Sequence, residues 1–380
     1  MLRLSKIVKE YRETGALNEN ISVFGFIDSR TFLTKAGDLG VVLKVEGVDY
    51  ECLDGGTIDN LTKRLEAAFK LFDPKFKIYQ YLFKTHAPEI PHKNYTDEVV
   101  KAANESRLEY LRGKADRLYS ISIYYVILHE GFRYRSSLGK ALTKLQTAPR
   151  LAWQELKGLF SSDQEVVLIE AEIARAARTL RQRVDTFALQ TNDFVAIEVL
   201  DKQDAYSFLR RLVNVSPEKR EASRLKYDTH VDFFMADSAL ECYPAHLLLD
   251  DYCIRILTLK EPTSQSWPLI LKQLYEIEAN FHVVTEWQAR DNSAARKKIQ
   301  SARRHFHNSK TSMVSQMRAD ATSTDVLVDD SKAALVHSLG ECLKELELQG
   351  NYFGQFSLAI VVYHRDPAVV EKACGELQKV

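Results

Sequence analysis

The stretch from Tyr252 to Arg290 constrains the fold most, because its hydrophobic period changes twice in direct succession. The run CIRILTLK, which starts at Cys253, is apolar on both faces, as expected of a strand covered on both sides. Apolar residues between Trp267 and Ile277 then recur at three- and four-residue steps, which predicts a helix. From Phe281 onward apolar and polar residues alternate, which predicts a second strand. This succession favours a helical crossover between two parallel strands, with the helix on one face of the sheet.

The helical spacing and the strand alternation of apolar residues both recur along the rest of the chain. Further strands are predicted at 41–46, 76–83, 120–129, 231–235 and 353–363. Further helices are predicted near 57–72, 97–118, 166–187, 293–318, 335–346 and 367–377. The helix at 166–187 could form a coiled-coil seam, but Arg183 interrupts that seam and favours packing inside the chain. The predicted fold class is α/β in the broad sense that includes α+β, with mixed sheets, βαβ units and long packing helices.

The chain length predicts more than one lobe. At 380 residues it exceeds the roughly 250 to 300 residues that one hydrophobic core usually serves. We expect a β-rich α/β lobe at 1–135, a helical segment at 136–192, and a second α/β lobe with a long polar helix at 193–380. A polar stretch from Asn214 to Tyr227 is a further candidate for a loop or boundary.

Composition narrows the class of protein. The basic and acidic residues balance to a net charge of zero, which argues against a globally basic nucleic-acid binder. Five scattered cysteines without a CxxC pair indicate reduced thiols in a cytoplasmic protein. The longest apolar runs fall short of the roughly 18 to 20 residues that a bilayer-spanning helix needs. The N-terminus also lacks the apolar core of a signal peptide. We therefore expect a cytoplasmic protein whose contact with a membrane is peripheral.

No catalytic motif is present. The chain has no G-x-x-x-x-G-K-[ST] loop for phosphate, no G-x-S-x-G turn and no H-E-x-x-H pair. His246, Asp250 and Asp251 come nearest to a metal or acid/base cluster, but the two aspartates fit a turn between strands better. We assign no catalytic, cofactor-binding or metal-binding residue and expect no ATP hydrolysis from this chain alone. An enzyme with an unrecognised site is the weakest of the functional alternatives.

A run of cations on the predicted polar helix is the strongest local charge feature. It consists of Arg296, Lys297, Lys298, Arg303, Arg304 and Lys310. Such a run can contact nucleic acid, acidic lipid headgroups or an acidic protein face, or it can be a solvated helix surface. A nucleic-acid-binding module that uses the helix around Lys297 to Arg304 is therefore the alternative function.

Three segments carry a resemblance to a known family. They are TFLTKAGDLGVVLKVEGVDYECLD from Thr31, DSALECYPAHLLLDDYCIRILTLKEP from Asp237, and ELELQGNYFGQFSLAIVVYHRDPAVVEKACGEL from Glu345. In the order of their apolar and turn positions they resemble the N-terminal region of the type IV secretion and conjugal transfer ATPases, the CagE/TrbE/VirB group. The similarity spans nearly the whole chain but includes no active-site signature.

The resemblance implies a docking and regulatory region at the cytoplasmic side of the bacterial inner membrane. Its implied partners are inner-membrane components of a type IV secretion channel, its own C-terminal ATPase domain and, in the full-length protein, further copies of itself. The ATPase motor, with its ATP and Mg, is expected to follow Val380. That motor would energise pilus assembly and the transfer of DNA or protein. Because the family's catalytic motifs lie in the motor, no catalytic residue carries over to this chain.

Overall fold

The computed structural model describes residues 17–48, 53–86, 90, 92–114, 117–130, 163–221, 223–263, 266–308, 330–348 and 353–379. The chain divides into two compact units. The first unit falls within Met1–Leu71, Lys77–Glu286 and Ser357–Val380, and the second within Phe72–Phe76 and Trp287–Phe356. The domain boundaries expected from the sequence stay a prediction.

The first unit is built on an 11-stranded antiparallel sheet. The strands are β1 Val23–Phe26, β2 Phe32–Thr34, β3 Leu39–Val45, β4 Phe76–His86, β5 Tyr119–His129, β6 Ile197–Val199, β7 Leu240–Cys242, β8 Leu247–Leu249, β9 Tyr252–Thr258, β10 Asn280–Ala289 and β11 Gly354–His364. Their order is β1-β2-β3-β5-β4-β10-β11-β9-β8-β7, with β6 paired to β3. Strands from both halves of the chain thus share one sheet, and the α+β class is confirmed.

Helices supply the covering layers. The α-helices are α1 Gly55–Phe69, α2 Glu98–Arg112, α3 Asp163–Thr191, α4 Lys202–Val213, α5 Pro217–Glu221, α6 Asp232–Met235, α7 Asn292–Asn308, α8 Asp330–Leu348 and α9 Pro367–Leu377. Short 3₁₀ helices lie at Leu17–Asn20 and Lys272–Glu276. Aspartates cap several α-helices, because a carboxylate accepts from the free N–H groups of the first turn. Asp54, Asp97, Asp201 and Asp366 cap α1, α2, α4 and α9 in this way.

Two neighbouring tyrosines of β5 show how the sheet is covered on both sides. Successive strand residues point to opposite faces. The ring of Tyr125 lies 5.4 Å from that of Phe69 in α1 and 6.3 Å from that of Phe187 in α3. The ring of Tyr124 lies 4.8 Å from that of Phe208 in α4. Helices α1 and α3 therefore cover one face, and α4 covers the other.

The apolar stripe of α3 packs inside the chain. Leu180, Val184 and Phe187 are fully buried, and α3 contacts α1, β3 and β5. Burial of this stripe confirms the intramolecular packing expected from the interrupted heptads over the residues 171–191, whose side chains the structure describes.

The half of the sheet that contains β9, β10 and β11 has its own hydrophobic core. Val362 of β11 and Phe281 of β10 are fully buried there, together with Cys253 of β9. Helix α9 covers this face with Val370 and Cys374. Apolar burial of this extent provides most of the stability of such a layer.

The predicted crossover helix between β9 and β10 is wrong. Among the described residues of this segment, the 3₁₀ helix Lys272–Glu276 is the only helix, and Leu269 has a positive φ of 65° directly after Pro268. A left-handed residue of this kind cannot continue an α-helix. The predicted adjacent βαβ pair is wrong as well, because β11 lies between β9 and β10 and pairs antiparallel with β9.

The strand predicted at 231–235 is also wrong, since Asp232–Met235 forms the one-turn helix α6. Val231 and Met235 are both buried, and residues four apart share a helix face. Phe233 and Phe234 between them are exposed. The apolar run therefore reflects one buried helix face with two aromatic side chains outside it.

The second unit contains the helix pair α7 and α8, which pack on each other. Trp287, at the start of its second segment, lies against Gly354, where an added Cβ would come within 2.4 Å of the indole ring. The side-chain amide of Gln288 donates to the carbonyl oxygen of Pro74 at 2.9 Å. These contacts join the short connection at Phe72–Phe76 to the remainder of this unit.

Candidate functional site

A cavity of about 470 Å³ opens between α4 and the sheet in the first unit. Strands β3, β5 and β6 provide its floor, and helices α4 and α5 provide its walls. Its lining consists of Lys44, Tyr124, Glu198, Leu200, Asp204, Ser207, Phe208, Arg211 and Arg220. Its size lies within the roughly 300 to 1,000 Å³ usual for small-molecule sites.

Strand register and helix period together bring these residues to one place. Lys44 of β3 lies directly opposite both Tyr124 of β5 and Glu198 of β6, so the three form a row across three strands. On α4, the lining residues from Asp204 to Arg211 follow steps of three and four, which places them on one helix face. The pocket is thus a polar row of the sheet facing a polar stripe of one helix.

Arg211 is set apart from the carboxylates of the pocket, whereas Lys44 lies beside Glu198. Asp204 and Arg211 are seven residues apart on α4, or about 10 Å along the helix. The guanidinium of Arg211 reaches β4, where it lies 3.9 Å from the centroid of the Phe83 ring. Glu198 lies on β6, on the opposite side of β3 and β5 from β4. The pocket therefore has a cationic end at Arg211 and a separate side that holds its carboxylates together with Lys44.

Arg211 is held in place at the cationic end. Its guanidinium donates to the hydroxyl oxygen of Ser122 at 2.9 Å, while its Nε–H is buried without an acceptor. Burial lowers the pKa of Arg211, and the nearby charge of Arg220 lowers it further. An arginine remains protonated near neutral pH even so. The side chain is therefore a desolvated cation beside a second cation.

Arg220 shares this environment. Its Nε–H is also buried without an acceptor. Within the described ranges, neither Arg211 nor Arg220 forms an ion pair with a carboxylate. Arg210 also keeps a buried Nε–H without an acceptor, but its guanidinium forms an ion pair with Asp237 and donates to backbone carbonyls. The two pocket arginines thus differ from the structural arginine next to them.

His282 of β10 lies next to Phe83, whose ring the Arg211 guanidinium also contacts. Its ring is buried, 5.4 Å from the ring of Phe83 and 5.9 Å from that of Tyr363. Burial and the positive charge of Arg211 lower the pKa of His282 to about 4. The imidazole is therefore neutral near pH 7 and adds no charge to the arginine pair.

The cationic residues singled out from the sequence lie in the second unit. Arg296 of α7 forms an ion pair with Glu347 of α8 at 2.8 Å, and the Arg303 guanidinium lies over Gly340. The other described members are exposed on α7: Lys297, Lys298 and Arg304. Lys310 falls outside the described residues. The structure thus assigns two of the six to the contact with α8 and places three at the surface, and their binding role stays a prediction.

The turn interpretation of Asp250 and Asp251 is confirmed. Asp250 has a φ of 55° between β8 and β9, and its carboxylate accepts from the backbone N–H of Ala239 and from the ammonium of Lys219. Asp251 pairs with Arg365 at 2.8 Å. In the described part of the chain, no group of three or more His, Cys, Asp or Glu residues is arranged to hold a metal ion.

Helix α2 presents an unusual apolar surface. Leu108 is its only buried residue. Val99 is 79% exposed and Tyr110 is 63% exposed, and Ala103 lies between them on the same helix face. The stripe is therefore an exposed apolar surface of α2, with the ammonium of Lys114 lying 4.3 Å from the centroid of the Tyr110 ring.

Sequence analysis did not find the pocket. The steps from Asp204 through Ser207 and Phe208 to Arg211 are a local signal, because they place charged residues on a helix face that packs on a sheet. The floor residues Lys44 and Tyr124 are far away in the sequence, so no spacing rule connects them to α4. Only the sheet register brings the two sets together.

Comparison with known proteins finds a family match over one part of the chain. Residues 30–134, which include β2 to β5 with α1 and α2, match the model of the family described as type IV secretion system ATPase VirB4/TrbE, N-terminal domain. Over these residues, the match confirms the resemblance seen in the sequence to the N-terminal region of the VirB4/TrbE ATPase family.

Two further findings accompany the match. No curated protein matches the chain. Among the helices of the described ranges, none combines the length and the apolar character that crossing a bilayer requires.

Proposed function

We propose that this chain is the docking and regulatory region of a type IV secretion or conjugative-transfer ATPase. It attaches the motor to the inner-membrane part of the channel from the cytoplasmic side. The family match over residues 30–134 is the observation that carries the proposal. In this role the chain supports pilus assembly and the translocation of DNA or protein. A separate C-terminal domain binds ATP and Mg and supplies the energy, and copies of the full-length protein assemble into oligomers.

Helix α2 is the docking surface that the geometry supports best. It lies inside the matched segment, and its stripe of Val99, Ala103 and Tyr110 is exposed. Burying the valine and tyrosine side chains against a partner would contribute a few kcal/mol, at about 25 cal/mol per Å² of apolar area. An apolar groove on a cytoplasmic segment of an inner-membrane channel protein fits this surface.

Co-purification tests the proposal. The tagged chain is expressed with the inner-membrane proteins of its own channel and isolated in mild detergent. We expect the channel proteins to be retained, and the double substitution Val99→Glu with Tyr110→Glu to release them. Leu189→Glu is the matched control, because Leu189 is 74% exposed on α3 but lies outside the matched segment.

Three results would contradict the proposal in distinguishable ways. Failure of the unsubstituted chain to retain any channel protein would refute docking. Equal retention by the α2 variant would refute α2 as the surface while leaving docking in place. Steady ATP hydrolysis by the purified chain would refute the assignment of this region as non-catalytic.

The exposed cations of α7 support the alternative of a nucleic-acid-binding module. Lys297, Lys298 and Arg304 form an unshielded group on one helix. A group of three cations can contact phosphates of a duplex without reading its sequence. The net charge of zero and the engagement of Arg296 with Glu347 make this the second candidate.

A further inference from the structure

We propose that the pocket between α4 and the sheet binds a small phosphate monoester that also carries hydroxyl groups. Arg211 and Arg220 hold the phosphate, and Glu198 and Asp204 accept hydrogen bonds from the hydroxyl groups. The site shares no residue with the α2 surface, so the inference is independent of docking.

The cationic end selects an oxyanion. Arg211 and Arg220 approach each other closely enough for their charges to repel, and no carboxylate within the described ranges compensates them. Each also keeps a buried Nε–H without an acceptor. A phosphate group presents several acceptor oxygens with up to two negative charges. It can accept from both guanidinium groups at once, which is the arrangement that makes such bonds strong.

The carboxylates select the rest of the ligand. Glu198 and Asp204 line the same cavity and are exposed to it, away from the arginine pair. They would repel a second anionic group, but they accept hydrogen bonds from hydroxyl groups. A ligand with a phosphate at one end and hydroxyl groups along its body meets both requirements, whereas a polyanion does not.

The aromatic side chains that line the cavity can pack against the sugar or base of a small ligand. The rings of Tyr124 and Phe208 lie 4.8 Å apart, and both line the cavity. Aromatic faces of this kind pack against the apolar face of a sugar ring or against a base. With a volume of about 470 Å³, the cavity accommodates a sugar phosphate or a nucleoside monophosphate.

Calorimetric titration of the purified chain with ribose 5-phosphate tests the inference. We expect saturable binding, with ribose and inorganic phosphate each binding at least about tenfold more weakly, because each lacks one of the two recognised parts. Absence of saturable binding of ribose 5-phosphate would overturn the proposal. Equal affinity for inorganic phosphate would also overturn it, since the site would then hold an adventitious ion only.

Variants locate the binding in this pocket. Arg220→Gln removes one guanidinium and is expected to weaken ribose 5-phosphate binding at least about tenfold. Arg224→Gln is the matched control, because Arg224 is exposed nearby and does not line the cavity. Ser207→Trp fills the cavity from an exposed helix position without changing any charge, so it should abolish binding while the thermal unfolding temperature is retained. Unchanged binding by both Arg220→Gln and Ser207→Trp would overturn the assignment.

Discussion

The ammonium group of Lys84 donates to the carbonyl oxygen of Ile277 at 2.5 Å and to that of Tyr275 at 2.7 Å. Lys84 lies in β4, inside the segment that matches the family model, whereas both carbonyls lie in the connection between β9 and β10. Burial lowers the pKa of Lys84, and the charge of Glu278 opposes that shift. One buried cation thus donates to two backbone carbonyls of the connection between β9 and β10, whose described residues form no α-helix.

Replacing Lys84 by Met should destabilise the first unit. The substitution keeps an apolar stem but removes the ammonium that donates to the carbonyls of Tyr275 and Ile277, although Ile277 still accepts from the backbone N–H of Ala279. We expect a cost of about 1 to 3 kcal/mol in the free energy of unfolding. Urea denaturation followed by circular dichroism measures this loss. Lys70→Met is the control, because Lys70 forms only a surface pair with Glu66, worth about 0.5 kcal/mol or less. Equal losses in the two variants would show that the buried contact is unimportant.

Protonation of His282 should make the fold sensitive to mild acid. Its pKa is about 4 in the folded chain and near 6.5 when exposed, so the unfolded chain binds a proton that the folded chain excludes. Above pH 6.5 the His282 imidazole is neutral in both states, so the free energy of unfolding is undiminished. As the pH falls from 6.5 towards 4, the unfolded chain gains a proton that the folded chain does not, and the free energy of unfolding decreases. The loss amounts to at most about 3 kcal/mol. Urea unfolding at pH 7.0 and pH 4.5 measures it.

The matched variants for this test are His282→Gln and His307→Gln. The first removes the buried imidazole, so the difference in unfolding free energy between the two pH values should shrink. His307 is exposed on α7 and loses little hydration on folding, so its variant should behave like the unsubstituted chain. An unchanged pH dependence in His282→Gln would assign the acid sensitivity to other groups.

Gly354 should not tolerate a side chain. An added Cβ would lie 2.4 Å from the indole of Trp287 and 2.6 Å from the carbonyl oxygen of Gln288, and the backbone oxygen cannot move away cheaply. Gly354→Ala should therefore cost about 1 to 3 kcal/mol of stability, as overpacking does. Gly375→Ala on α9 meets nothing within 4 Å and should stabilise by up to about 1 kcal/mol, because alanine favours a helix. Thermal unfolding measures the change in stability of both variants. Similar changes in the two variants would contradict the packing argument.

Neutralising the exposed cations of α7 separates the two candidate functions. If docking is the function, the triple variant Lys297→Gln, Lys298→Gln and Arg304→Gln should bind duplex DNA no differently from the unsubstituted chain. A nucleic-acid module would instead lose affinity and salt dependence, by a slope of about 0.9 for each phosphate contact removed. Fluorescence anisotropy at several salt concentrations measures both quantities. Arg296→Gln is the control, because Arg296 already pairs with Glu347.

The amino-acid sequence alone determined several elements whose period and ends were marked. Helix α9 is an example, with Asp366 as its cap and Pro367 in its first turn, and β10 is another, with Phe281, Val283, Thr285 and Trp287 at every second position. It also carried the resemblance to the VirB4/TrbE family over residues 30–134, because the order of apolar and turn positions is a property of the chain itself. These features depend on neighbouring residues only.

Tertiary structure alone decided which elements meet. Strand β11 lies between β9 and β10, and this order depends on hydrogen bonds between segments far apart in the chain. The described residues of the connection before β10 form no α-helix, because the apolar residues there are divided between the core and the surface and Leu269 has a positive φ. Lys44 and Arg211 line one pocket only because sheet register and helix packing bring them together. Hydrophobic periodicity reports which face of an element is buried, but the partner that buries it is chosen by the packing of the whole chain.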